Sequence, residues 1–417
     1  MTVGALIVGA GHAGVQVASS LRDLGYDKPI TLVSDERYLP YQRPPLSKTF
    51  LTGFAAADTL ALRAERYYRE RSITVLTDDH LADVTLADVC SGSGTAVTSS
   101  GVALPFEHLA IATGASARQL EVPGCSLPGI CYLRGLDDAV RLKALLPAAQ
   151  RVVVIGGGFI GLEGAAFAQS AGKQVTIVEA TDRLVARAVP SVVGDFYRTA
   201  HQRRGTRVLL GAAVSHFLGE DRVTGVALAD GRILAADLVL VGVGAVPRTG
   251  LAERLLIRCD QGVLVDSRCR TSNPRIVAAG DCTRAPHPMA PHQLVRLESV
   301  NNAVCQGRVA AASLLGMVDH YGSVPWFWSD QGAIKLQMVG TFDCADSHVL
   351  RGDPADEKFS ILHYRDQRLT GLTSINCSAD FIAARKALES GKNIPADQAS
   401  DPSRRLKDLL AEPALIL

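Results

Sequence analysis

One pattern, present twice, restricts what this chain can fold into more than any other feature: an apolar β-run, a glycine-rich turn, a helical stretch, and a second β-run closed by an acidic residue. The first copy runs Ala5–Val8, GAGHAG at 9 to 14, an Ala/Val/Leu-patterned helix to about Leu24, and Ile30–Val33 followed by Asp35. The second runs Val152–Ile155, GGGFIG at 156 to 161, a helix to about Ala171, and Val175–Val178 followed by Glu179. Both are βαβ units. In such a turn the first glycine permits the tight bend, the second lets backbone approach a pyrophosphate, and the third lets helix pack on strand. The helix N-terminus offers unpaired N–H groups and the positive end of its dipole to phosphate. The acids lie 21 positions after Gly14 and 18 after Gly161, near the spacing at which a carboxylate reaches a ribose hydroxyl. One G-x-G-x-x-G alone says little, but the whole unit in order twice predicts two dinucleotide sites.

Three further β-runs end on glycine: Leu109–Thr113 before Gly114, Leu238–Val241 before GVG at 242 to 244, and Ile276–Ala279 before Gly280 and Asp281. They read as crossings between domains, the last returning to the first domain, although ordinary loop glycines would look the same. Beyond Gly322 the runs alternate (Lys335–Val339, Ser360–Tyr364, Thr370–Ser374) and precede a helix from about Asp380 to Ser390, as in a separate α+β domain. The final DPSRRLKDLL reads as a surface segment with a short terminal helix. The predicted class is therefore α/β, with two Rossmann-like domains and a C-terminal α+β domain. The first domain takes residues 1–113 and 245–322, the second 114–244 and the third 323–417.

Composition removes several function classes. With 43 basic against 42 acidic residues the formal charge is +1, too small a field to imply nucleic acid or an anionic membrane. The nine cysteines form no CxxC and no His/Cys cluster at metal-ligand spacing, so no metal site is expected. His287 and His292 lack a third ligand. The chain enters an apolar strand at Ala5 with no basic n-region, and no apolar run reaches the ~18 residues of a membrane span. A cytoplasmic location with reduced thiols is the expectation.

Longer motifs carry a resemblance over essentially the whole length. GAGHAG, YQRPPLSK at 41 to 48, IATG at 111 to 114, YLR at 132 to 134, GGGFIGLE at 156 to 163, AAGDC at 278 to 282, RLESV at 296 to 300 and VPWFWSDQ at 324 to 331 stand in one order. In these the chain resembles the FAD-dependent, NADH-using ferredoxin reductases of bacterial oxygenase systems, within the glutathione-reductase-like flavoproteins. The resemblance implies FAD on the first copy and NAD on the second. For FAD it implies Gly9, Gly11, Ala13 and Gly14 at the pyrophosphate, Asp35 at the adenosine ribose and Asp281 at the ribityl chain. It also implies Arg43, Lys48 and Arg134 at the flavin, the Val300 backbone at its pyrimidine edge, and Thr113, Gly280 and Trp326 in the same site. For NAD it implies Gly156, Gly158, Ile160, Gly161, Glu163 and Gly244, with Glu179 on the ribose 2′-hydroxyl. A carboxylate there repels a 2′-phosphate and favours NADH over NADPH, while Arg183 and Arg187 nearby could accept that phosphate.

Lys48 and Glu163 are implied as the catalytic pair near the reactive nitrogen of the flavin, although a surface lysine and a helix-face glutamate would look the same from position alone. Where disulfide reductases of this superfamily carry a CxxxxC and NADH peroxidases a single cysteine, this chain has RPPLSK, and its first cysteine is Cys90. Electrons are then expected to leave FAD directly and singly, to a [2Fe-2S] ferredoxin, from a monomer or homodimer. Trp326 and Trp328 are implied near the flavin and docking surface, with a packing role as the other reading of Trp328. Two departures concern the partner: Gly332 and Ala333 replace the usual Tyr-Asp after WSDQ, and residues 285 to 295 are rich in Pro and His. Rubredoxin reductase or diaphorase activity, and a redox-sensing role like that of apoptosis-inducing factor, are the competing readings.

Overall fold

The computed structural model describes residues 3–88, 92–343 and 345–410. Cys90 and the stretch beyond 410 lie outside them; in DPSRRLKDLL the structure holds a 3-10 turn at Leu406–Asp408. The chain divides into two compact units: Met1–Gln42, Asp58–Ser116 and Val246–Phe327 form one, and Arg43–Ala57, Ala117–Ala245 and Trp328–Leu417 the other.

The first unit centres on parallel strands in the order Ile73–Leu76, Ile30–Val33, Gly4–Val8, Ala103–Ile111, with Ile276–Ala278 paired to the end of the last. Leu6, Ile7, Ile30, Leu32, Leu109 and Ile111 are all buried, as parallel strands covered on both faces require. The start of Ala103–Ile111 pairs antiparallel with Gly94–Thr98, which continues to Leu81–Leu86. Helix His12–Asp23 buries Ala13, Val17, Ala18 and Leu21 in a core shared with helix Val300–Leu314. These helices touch because residue 307 is glycine: a Cβ there would lie 2.9 Å from the Ala13 carbonyl oxygen. The Pro/His-rich segment folds as a hairpin, Thr283–His287 against Ala290–Val295. Pro286 and Pro291 lack the N–H of a ladder residue and hide the strand pattern.

The second unit holds an all-parallel sheet in the order Arg207–Leu209, Gln174–Val178, Arg151–Ile155, Leu238–Val241, Ile130–Cys131. A three-stranded meander, Val214–Leu218, Gly225–Leu228 and Ile233–Ala235, shares one apolar core with it through Phe217, Val226, Val153 and Val239. Near the C-terminus a five-stranded sheet runs in the order Trp326–Gln331, Ile334–Gly340, Arg368–Ile375, Lys358–Arg365, Ser347–Asp353. Helix Ser378–Glu389 buries Phe381, Ala384 and Ala387. Helix Ser191–Arg203 ties this sheet to the nucleotide-type sheet: Phe196 meets the Phe359 ring at 5.2 Å, and Arg204 donates to Glu357 at 2.6 Å. Among the described residues no helix is long and apolar enough to cross a membrane.

Candidate nucleotide-binding and active site

Each glycine-rich turn separates into glycines the chain itself demands and one it does not. Gly9 and Gly156 adopt φ of 108° and 98°, where a side chain is strained. A Cβ on Gly14 would lie 1.9 Å from the Gly9 oxygen, and one on Gly161 would lie 2.1 Å from the Gly156 oxygen. The middle position differs. Gly11 has ordinary extended backbone and nothing within 4 Å of its missing Cβ, and Gly158 meets only the Gly242 oxygen at 3.9 Å. Among the described residues no contact requires those two to be glycine, and the space they leave fits a pyrophosphate. The helices they open, His12–Asp23 and Phe159–Ser170, carry glycine at the N-cap and no acid in the first turn, so no carboxylate of their own opposes an anion at the dipole end.

The two acids differ in their surroundings. Exposed Asp35 pairs with Arg248 at 2.6 Å, and Arg248 O accepts from the Thr113 hydroxyl at 2.6 Å. Glu179 is held at the rim of its turn: Oε2 accepts from the Gly157 N–H at 2.6 Å, and Oε1 from the N–H and hydroxyl of Thr181 at 2.8 Å each. Arg183 spends its guanidinium on the carbonyls of Ala186 and Val189, at 2.5 and 2.9 Å. Arg187 is exposed, its Nη2 3.7 Å from where a Cβ on Gly244 would lie.

Sequence reasoning missed the residues that fix Gly280 and Asp281. Buried Gln306 accepts at Oε1 from the Gly280 N–H at 2.8 Å, the Thr283 hydroxyl at 2.9 Å and Asn302 Nδ2 at 3.3 Å. The loop that follows Ile276–Ala278 is thereby held to helix Val300–Leu314, whose N-terminus is capped by the Ser299 hydroxyl accepting from Asn302 N–H. Asn301 Oδ1 accepts from the Trp326 N–H at 3.4 Å. His287 Nδ1 accepts from the Met289 N–H, and among the described residues no cluster of three metal-ligating side chains exists.

Within the second unit the structure brings three side chains onto one buried carboxylate. Lys48 Nζ lies 2.9 Å from both Glu163 oxygens, the Ser329 hydroxyl donates to Oε1 at 2.6 Å, and the Ser47 hydroxyl donates to Oε2. Glu163 sits on helix Phe159–Ser170, two residues past the last glycine of the turn; Ser47 and Lys48 come from a 3-10 turn at Pro44–Ser47. A buried carboxylate is stable only when paired and hydrogen-bonded, and this one is both. Nearby, Arg43 donates to the Arg134 carbonyl at 3.0 Å. Tyr197 is fully buried, and burial together with the charges of Glu163 and Asp330 pushes its phenol far above the usual range, so it stays neutral. Burial likewise lowers the pKa of His201, whose Nε2 donates to Gln331 Oε1 at 2.9 Å.

Two dinucleotide cradles and a buried lysine–glutamate pair in one chain agree with the comparisons. Residues 4–307 match the model of the pyridine nucleotide-disulphide oxidoreductase family, and residues 326–410 match the reductase C-terminal family. The chain belongs to the pyridine nucleotide-disulphide oxidoreductases. Among curated members it is 42% identical to rhodocoxin reductase of Rhodococcus erythropolis, over 97% of this chain and 94% of the relative. Among solved structures it matches the ferredoxin reductase for the CYP199A2 system of Rhodopseudomonas palustris with TM-score 0.92 at 41% identity, covering 98% of this chain and 100% of that one. The covalent putidaredoxin reductase–putidaredoxin complex follows with TM-score 0.91 at 35% identity, covering 98% of each chain. The mixed α/β fold and the C-terminal reductase domain are those of FAD-dependent ferredoxin reductases. As an oxidoreductase of this family the chain uses FAD and NAD(H).

One prediction concerns the choice of nicotinamide. With Arg183 committed to its own loop, Glu179→Arg is expected to raise kcat/KM for NADPH and lower it for NADH. An unchanged ratio of the two would remove Glu179 from the ribose site.

Proposed function

We propose that this protein is the NADH-dependent ferredoxin reductase of an oxygenase system: a hydride from NADH reduces bound FAD, which gives single electrons to a [2Fe-2S] ferredoxin supplying an oxygenase or cytochrome P450. The observation that carries the reading is the turn at Pro44–Lys48. It sets Ser47 and Lys48 against Glu163 and presents no cysteine, so this disulphide-oxidoreductase fold has no thiol there to accept an electron pair. An external one-electron acceptor takes that place.

The cradle at Gly9, Gly11, Ala13 and Gly14 holds the FAD pyrophosphate, with Asp35 on the ribose. Thr113, Gly280, Asp281, Val300 and Trp326 line the same site, and Arg43, Lys48 and Arg134 serve the flavin. The cradle at Gly156, Gly158, Ile160 and Gly161 holds NADH, with Glu179 at the ribose and Arg187 and Gly244 at its edge. Lys48 supplies a positive charge beside the flavin, and Glu163, 2.9 Å away, holds the ammonium in place. By function the chain divides into an FAD domain at 1–113 with 245–322, an NAD domain at 114–244 and a C-terminal domain at 323–417, and the protein works in the cytoplasm as a monomer or homodimer.

An anaerobic NADH titration followed by visible absorbance, with a [2Fe-2S] ferredoxin then added, tests the reading. Flavin bleaching and then reoxidation by ferredoxin is expected. A stable long-wavelength complex untouched by ferredoxin indicates a redox sensor, reoxidation by rubredoxin alone a rubredoxin reductase, and a colourless protein that refuses FAD overturns the reading.

A further inference from the structure

The ammonium of Lys48 and two seryl hydroxyls compete for the same two oxygens of Glu163. One of these hydroxyls comes from far along the chain: Ser329 is completely buried on strand Trp326–Gln331, and its Oγ lies 2.6 Å from Glu163 Oε1. A second bond, from the next residue on the same face of the strand, anchors the strand again two residues on. There Gln331, also buried, accepts from His201 on helix Ser191–Arg203. Ser329 therefore meets Glu163 from a strand that is anchored again two residues on.

A hydroxyl donated to a carboxylate withdraws part of its negative charge. The more of Glu163 the hydroxyls occupy, the less it neutralises Lys48. The Lys48 side chain keeps 17% of its surface exposed while Glu163 keeps only 3%, so the lysine is the member of the pair left accessible. We propose that Ser329 is a positioning residue that sets the effective positive charge Lys48 presents to the flavin, by sharing Glu163 with it. The inference rests on the reductase reading above. It adds that the C-terminal domain, beyond any docking role, tunes the pair that serves the flavin.

Without the hydroxyl, Glu163 Oε1 turns wholly to Lys48, the ion pair tightens, and a reduced flavin loses stabilisation. Ser329→Ala is expected to shift the midpoint potential of bound FAD negative, and to slow flavin reduction by saturating NADH about tenfold with the dissociation constant for NADH unchanged. The decisive comparison is with Lys48→Met, in which Ser329→Ala has nothing left to tune. Potential and rate in Ser329→Ala/Lys48→Met should equal those of Lys48→Met alone, whereas a general packing defect would add to them. Unchanged potential and rate in Ser329→Ala, or fully additive effects in the double variant, overturn the inference. Should Ser329→Ala fail to retain FAD, Ser329→Cys keeps the shape with a weak donor and is read by the same outcomes. Wild-type protein that binds FAD but is not bleached by NADH would instead defeat the reductase reading itself.

Discussion

Replacing Lys48 by alanine is expected to slow the bleaching of bound flavin by NADH about a hundredfold in stopped flow, the size of effect seen when one preorganised charge or donor is removed from an active site. The same change leaves Glu163 buried beside two hydroxyls and no cation. An uncompensated buried charge of this kind costs about 3–5 kcal/mol, so the variant should also melt lower. The two consequences separate on adding Glu163→Gln, which removes the stranded charge. Stability should recover in Lys48→Ala/Glu163→Gln while the rate stays low. Wild-type bleaching rates in Lys48→Ala would refute a role at the flavin, and a rate that recovers together with stability would reduce the lysine to a structural partner.

Arg351→Ala should destabilise the C-terminal sheet by about 3–5 kcal/mol, the range for breaking a buried charged network. Its side chain is only 7% exposed and bonds to Asp380 at 3.1 Å, to the Ala399 carbonyl at 3.2 Å and to the Arg404 carbonyl at 2.7 Å. Alanine removes the guanidinium donors from those carbonyls and the cation from Asp380, which still accepts from the Ser360 hydroxyl at 2.9 Å. Denaturant unfolding should show a lower midpoint, and limited proteolysis should cut first between Ala399 and Arg404. If the segment resists the protease as the wild type does, the arginine is not what holds it.

What the sequence made legible was local. Strand, turn, helix and strand at 4–33 and 151–178 follow one another, so their period and glycines can be read without knowing the rest of the fold. The long-range contacts were not. Glu163 and Ser329 are separated by 166 positions, and nothing local to WSDQ distinguishes a serine that reaches a carboxylate from one that faces its own sheet. Arg351 sits on Ser347–Asp353, a mostly exposed strand with no apolar alternation, so the strand and its buried arginine were missed together. The segment DPSRRLKDLL reads as a surface segment with a short helix because its anchor is supplied from 50 residues upstream. Gln306 hid for the opposite reason: a polar residue in an alanine-rich helix looks like solvent-facing pattern until the Gly280 loop is placed against it.

The bonds from Ser329 and Gln331 bear on how such reductases can be recombined. Exchanging the C-terminal domain between relatives, to redirect electrons to another redox partner, is most naturally spliced at the linker before Trp326. That seam would import a foreign residue opposite Glu163 and another opposite His201, and could detune the chimera in a step unrelated to partner choice. A junction placed after Gln331 keeps both bonds native to the donor of the nucleotide-binding domains, so any change in partner preference can be assigned to the graft alone.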